Sequence, residues 1–244
     1  MKKVTFIILI ATFVALNTYS QSNSDATPMA IETLMLLPKR GMEDKFEAAV
    51  LAHMKKYHPE GPYVAALRKN EYGEKAGWYL WVMGPSPYSS LDKPLGKENG
   101  HEQDWNTTID PLVQEYGASG LWGYNQELSY GPDIFKKAKH YELWAVDLKP
   151  GKYSKFKEIA EKLKKVYEVL GNTSFIVLDN NLHTTGGADI SLIWSFDTYV
   201  DWAKDPGPKA EFEKQNGQGS WQKMMDEWME ITNDYDSYIR TNIR

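Results

Sequence analysis

The run Gly77-Trp78-Tyr79-Leu80-Trp81-Val82-Met83 is apolar or aromatic at every position after the glycine. A strand with one solvated face alternates apolar and polar residues, because successive side chains point to opposite faces. This run does not alternate, so it predicts a strand covered on both sides. Ser191-Leu192-Ile193-Trp194-Ser195-Phe196 repeats the pattern. Ahead of the first run, residues 31–37 read as a strand stopped by Pro38 and a turn at Gly41. Phe46, Ala49, Val50, His53, Met54 and Tyr57 then fall on one face of a 3.6-residue period and predict a helix. Tyr63 to Lys69 reads as the second strand, and Gly84-Pro85-Ser86-Pro87 is expected to break the sheet after the third. Trp105, Ile109, Leu112, Val113 and Tyr116 predict a second helix, kinked at Pro111 and ended by Gly117 and Gly120. Leu121 to Tyr130 reads as the fourth strand.

The second half repeats this order. His140 to Leu148 is a strand, Phe156, Ile159, Ala160, Leu163, Tyr167 and Leu170 form a helix face, and Ser174 to Asn180 is a strand. Gly186-Gly187 marks a hairpin before the Trp194 strand. Trp221, Met224, Met225, Trp228 and Met229 form the last helix face, and Asp236 to Ile243 the last strand. Glu142 echoes Glu32 and Phe156 echoes Phe46 at an offset of 110, Asn181 echoes Asn70, Trp194 echoes Trp81 at 113, and Trp221 echoes Trp105 at 116. An insertion in the loop 206–219 accounts for the last rise. The ordered offsets indicate an internal repeat, with a first unit over 30–131, a linker over 132–138 and a second unit over 139–244.

Strand–helix–strand–strand–helix–strand, written twice, resembles two tandem ferredoxin-like βαββαβ units. The chain is similar in this to the dimeric α+β barrel superfamily, with its antibiotic-biosynthesis monooxygenase-like, NIPSNAP-like and chlorite-dismutase-like proteins. The resemblance implies an α+β fold in which the two units pair their sheets into one pseudo-dimeric barrel within a single chain. It implies a cavity at the barrel centre or between sheet and helices, holding a small apolar or aromatic molecule, and allows a cofactor-free monooxygenase-like activity. A chlorite-dismutase-like protein needs a haem-ligating histidine on a helix of the C-terminal half. Here that half offers only His140, at a strand start, and His183, in a hairpin, so no haem or other cofactor is expected.

The N-terminus adds an address. Lys2 and Lys3 precede an apolar segment from Phe6 to Leu16, and Thr18-Tyr19-Ser20 fits a signal-peptidase site. Residues 1–20 therefore read as a bacterial-type signal peptide, 21–29 as a flexible lead, and the product as periplasmic or secreted with no membrane span of its own. Cleavage after Ser20 leaves 224 residues and, with Lys2 and Lys3 gone, moves the net charge from −5 to −7. An acidic balance argues against a nucleic-acid surface. The chain has no cysteine, so an exported form relies on its core rather than on disulfides. Its 9 Trp, 15 Tyr and 8 Phe supply that core.

Candidate chemistry is sparse. His53 lies on an apolar helix face where the second half has Leu163. It is either a base or a core histidine satisfied by one hydrogen bond. Glu32 and Glu142 could converge on a polar ligand or cap two strand ends. Trp81 and Trp194 could stack on a ligand in the barrel or pack beneath helices. No thiolate, His-x-x-x-His, His-Glu-x-x-His, phosphate loop or nucleophile elbow is present, so no metal centre is expected. A hollow barrel would favour a small-molecule site, binding or enzymatic. A filled barrel with an exposed aromatic patch would favour a non-catalytic envelope module that binds a protein or polymer.

Overall fold

The computed structural model describes residues 27–93, 95, 99–184, 186–205 and 207–244. The expected signal peptide lies outside them. The first half runs β1 (Met29–Pro38), α1 (Glu43–Tyr57), β2 (Ala65–Tyr72), β3 (Tyr79–Pro87), α2 (His101–Asp104) and β4 (Val113–Tyr124). A short helix α3 (Pro132–Lys137) follows. The second half runs β5 (His140–Leu148), α4 (Tyr153–Leu170), β6 (Phe175–Asn180), β7 (Ile190–Phe196), α5 (Tyr199–Lys204), α6 (Lys209–Asn216), α7 (Ser220–Ile231) and β8 (Thr232–Ile243).

All eight strands close into one antiparallel barrel in the order β1-β3-β2-β8-β5-β7-β6-β4. Each half contributes a four-stranded sheet with the same internal order, fourth-first-third-second, which is the ferredoxin-like arrangement. The halves join at two matching seams, β2 with β8 and β6 with β4. Closure leaves neither sheet an unpaired edge. The fold is the expected α+β barrel of two βαββαβ units. Among the described residues, no helix is long and apolar enough to cross a membrane.

The closed barrel explains the unbroken apolar run. Tyr79 and Trp81 of β3 point outward and pack with Phe46 and Val50 of α1, whereas Leu80 and Val82 point inward with Ile31, Leu143 and Ile176. A larger outer core in the second half joins Phe156, Ile159, Leu163 and Val166 of α4 to Trp228 of α7 and Leu192 of β7. Each sheet is thus covered by helices on one side and by the opposite wall on the other.

Several local expectations are corrected. The second helical segment ends at Leu112, passing from α2 through a π turn (Trp105–Ile109) and a 3-10 turn (Asp110–Leu112). Gly117 and Gly120 do not end it; they lie inside β4. A Cβ at Gly117 would lie 2.7 Å from the Trp78 ring, and one at Gly120 would lie 2.6 Å from the Trp122 indole nitrogen. These are strand glycines over which large side chains lie, not helix stops. Gly84-Pro85-Ser86-Pro87 does not break the sheet: β3 absorbs it through a register shift opposite Ala30 and Glu32. The linker 132–138 is largely helical in α3, the loop 206–219 contains α6, and β8 starts at Thr232 rather than Asp236.

Backbone hydrogen bonds also fix how the halves correspond. Lys39 N donates to Leu112 O as Lys149 N does to Ile231 O, and Asn70 N donates to Trp78 O as Asn180 N does to Asp189 O. Asn70 therefore matches Asn180, not Asn181. Glu32 lies opposite Met83 and Glu142 opposite Trp194, so the two glutamates do correspond. Trp194 takes the place of Met83, and Trp81 that of Leu192. Counting back from Leu112 and Ile231, Trp105 falls on Met224 rather than on Trp221. A slip of two residues keeps a strand's faces unchanged, which is why the tryptophan echo looked sound in the sequence.

Candidate functional site

Inward-facing side chains do not fill the barrel. They enclose a cavity of about 1370 Å³, walled mainly by Ile31, Leu80, Val82, Trp122, Leu143 and Ile193. Two arginines interrupt this apolar wall. Arg68 lies on β2 and Arg240 on β8, where the seam pairs Arg68 with Asn242 and Asn70 with Arg240. Alternation along Ala66, Arg68 and Asn70 puts all three on the inner face. Arg240 Nε donates to Asn70 Oδ1 at 2.7 Å. The Arg68 guanidinium lies 4.8 Å from the Phe135 ring and 4.6 Å from that of Tyr141.

Electrostatically the inner wall is a donor surface. Arg68 is only 8 % exposed, and neither its Nε nor Asn70 Nδ2 has a hydrogen-bond partner among the described residues. No carboxylate pairs with Arg68 or Arg240 among the described residues. Among the described residues, Glu115 is the only carboxylate in the cavity lining, against the cations Arg68, Lys75, Lys136 and Arg240. Burial holds the Arg68 guanidinium below its ordinary pKa. Burial, with the charge of Arg68, lowers Arg240 to about 10. Arg240 keeps intermediate exposure because it borders the cavity. A buried cation without a counter-charge costs several kcal/mol, so this arrangement is one that an anion would relieve.

None of the residues singled out in the sequence lines this cavity. Trp81, Trp194, Glu32, Glu142 and His53 all lie on the outer, helix-covered face. Trp81 is core, 5.4 Å from Trp105 and 4.9 Å from His58 between ring centres. Glu32 is half-buried, and burial raises its pKa. Glu142 accepts from the indole N–H groups of Trp144 at 3.1 Å and Trp202 at 2.8 Å. Together with Trp194, Trp221 and Trp228 it lines a second cleft, of about 980 Å³, between the sheet and the helices of the second half. The two glutamates correspond by symmetry but lie in different halves and do not converge.

At the equivalent place in the first half, three histidines meet. His53 on α1 is 1 % exposed and pairs through Nδ1 with Asp104 Oδ2 at 2.7 Å. His58, just past α1, is 4 % exposed and bonds through Nδ1 to the Tyr63 carbonyl at 2.7 Å. His101 opens α2 and places Nε2 3.0 Å from His58 Nε2. Gly100 turns the chain into α2 at φ +80°, a conformation that only glycine adopts at little cost, and its carbonyl accepts from the Tyr57 hydroxyl at 3.1 Å. Burial lowers the pKa of His58 to about 4 and lowers that of His101. The hydrogen bond from His53 holds the Asp104 carboxyl below its usual range. The expectation of no metal centre rested on local spacing, which cannot register His58 and His101, 43 positions apart. Arg68 and Arg240 were equally missed, although the chain has only four arginines against 24 lysines, a selectivity that could have drawn attention to them.

No family model and no curated protein matches this chain. Solved structures do. A candidate monooxygenase from Lactobacillus acidophilus aligns over 90% of this chain and 95% of its own, at 10% identity and a TM-score of 0.55. An anthrone oxidase-like protein aligns over 90% of this chain and 93% of its own, at 11% identity and a TM-score of 0.52. A candidate chlorite dismutase aligns over 89% of this chain and 96% of its own, at 9% identity and a TM-score of 0.53. At such identities the likeness is one of fold, the dimeric α+β barrel. The second-half cleft does not suit a histidine-ligated haem. No histidine lines it; His140 bonds to Thr241 at 2.8 Å and stacks on Phe196, and His183 pairs with Asp189.

Proposed function

We propose that this chain binds a small apolar or aromatic molecule with an anionic head inside the barrel, the head held by Arg68 and Arg240. The observation that carries this reading is the pair of guanidiniums that, among the described residues, have no carboxylate partner, in a mainly apolar cavity. The volume exceeds the roughly 300–1,000 Å³ common for small-molecule pockets, so an occupant of that class has room. A hollow, cationic interior also favours this reading over the envelope module.

A probe pair tests it directly. Anilinonaphthalene sulfonate carries an aromatic body and an anionic group; N-phenylnaphthylamine is its uncharged counterpart. Hydrogen bonds to charged groups contribute about 1.5–3 kcal/mol, so the sulfonate is expected to bind at one site per chain, roughly 10- to 100-fold more tightly. Equal affinity for the two would overturn the anionic-head reading.

A second reading concerns chemistry. Some fold neighbours are described as monooxygenase or oxidase-like, and the same guanidiniums would favour the ionised form of an enol or phenol. Such a substrate can react with O₂ without a resident cofactor, a neighbouring CH₂ becoming C=O while the second oxygen leaves as water. Oxygen uptake with electron-rich phenols separates this reading from simple binding. His53 is not its base, because it lies on the far side of the barrel wall.

Export belongs to the same proposal. The mass of the mature protein from a bacterial envelope or culture fraction is expected to match a chain starting near Gln21. Retention of Met1 in that fraction would refute cleavage.

A further inference from the structure

We propose that His53, His58 and His101 form a three-histidine site for a divalent first-row transition metal, with zinc as the reference ion. This site lies on the outer face of the barrel, separated by β3 from the cavity, and does not depend on what the cavity binds.

Three observations converge on it. The first is orientation. His53 Nδ1 faces the carboxylate of Asp104 and His58 Nδ1 faces the carbonyl of Tyr63, both at 2.7 Å. A carbonyl only accepts, so His58 must carry its proton on Nδ1 and present a bare lone pair at Nε2. The carboxylate of Asp104 favours the same tautomer for His53. An outer carboxylate or carbonyl on the far nitrogen is the usual support of a metal-binding imidazole.

The second is convergence. One ligand nitrogen from each of the three rings lies within 4.8 Å of the others, and His58 Nε2 and His101 Nε2 are 3.0 Å apart. Zinc–nitrogen bonds of about 2.0–2.1 Å in a tetrahedral site put ligand nitrogens roughly 3.3 Å from one another. The His58–His101 pair is nearly at that spacing, and a modest ring movement brings His53 in.

The third is what a purely structural cluster leaves unexplained. His101 can donate Nε2–H to His58 Nε2, which satisfies that pair. His53 Nε2 then remains buried with no hydrogen-bond partner among the described residues, in a cluster where two rings are almost fully buried. A cation accepting three lone pairs satisfies all three rings. Three neutral imidazoles suit zinc, copper, nickel or cobalt rather than magnesium or calcium. Three protein ligands leave a fourth position for water or substrate, the composition of a catalytic rather than a closed structural zinc site. His101, partly exposed at the start of α2, provides the route of entry. The π turn that follows, Trp105–Ile109, is the kind of helix irregularity often found beside functional sites.

The test uses untagged full-length protein stripped with chelator and titrated with Zn²⁺ by calorimetry. One ion per chain is expected. H101Q, at the exposed rim, is expected to weaken binding by more than about 100-fold, and D104N by about 10- to 100-fold as an outer-shell change. H183Q, remote from the cluster, should leave the isotherm unchanged. The Co²⁺ form of the wild type gives a readout that needs no variant. Intense visible absorption, lost on adding Zn²⁺, supports a low-coordinate site; the weak spectrum of octahedral cobalt overturns it. Zinc binding by H101Q with wild-type affinity also overturns it.

Discussion

Replacing Arg68 with methionine is expected to stabilise the free protein while removing its preference for anionic over neutral aromatic ligands. Arg68 is 8 % exposed, and its Nε has no hydrogen-bond partner among the described residues. Its guanidinium is stabilised chiefly by the rings of Phe135 and Tyr141, contacts worth about 2 kcal/mol when desolvated. The cost of burying the charge is larger, several kcal/mol. Methionine keeps the length of the side chain and packs well against aromatic rings. Replacing buried ionic groups by apolar residues of similar volume commonly gains about 1–4 kcal/mol, so a gain of about 1–3 kcal/mol is expected here. For a chain of this size that is a rise of roughly 2–12 °C in Tm. The same substitution should cost the sulfonate probe 10- to 100-fold in affinity, from the loss of a charged hydrogen bond of about 1.5–3 kcal/mol. The neutral probe should bind as before. A fall in Tm with the sulfonate preference intact would show that Arg68 is a structural stacking residue and no part of a binding site.

The second large effect concerns the two outer cores. Phe46 and Phe156 occupy equivalent positions on α1 and α4 and are 0 % and 1 % exposed. Phe46 meets Tyr79 edge-on at 5.1 Å between ring centres, and Phe156 lies 5.9 Å from Tyr153. Removing either ring leaves a cavity in a close-packed layer, so Phe46→Ala and Phe156→Ala are each expected to cost about 3–5 kcal/mol. Tm should fall by roughly 6–20 °C in each case. Because the seams β2–β8 and β4–β6 bind each half to the other, both variants should still melt in a single transition. Calorimetry checks this. Two separate transitions in either variant would mean that the halves fold independently and that barrel closure contributes little.

The sequence by itself determined the architecture. An apolar run without alternation requires a strand buried on both faces, and a closed barrel covered by helices provides one. The periodicity of α1 and α4 named their buried faces, and the repeated element order led to the pairing of two ferredoxin-like sheets. Local signals were weaker where a glycine or proline has two uses. Gly117 and Gly120 stop helices in one context and, in β4, make room for Trp78 and Trp122. Only the tertiary structure decided where the chemistry lies. Period two separates a strand into two faces but does not say which one looks into the barrel. Trp81 and Trp194 were therefore legible as buried, but not as outward-facing. The site groups themselves are assembled across the fold. Asn70 and Arg240 meet from 170 positions apart through the β2–β8 seam. His58 and His101 meet across 43 residues because the segment from His101 through the π turn packs against α1. No local pattern encodes such meetings, because they depend on strand register and barrel closure, which are properties of the whole chain.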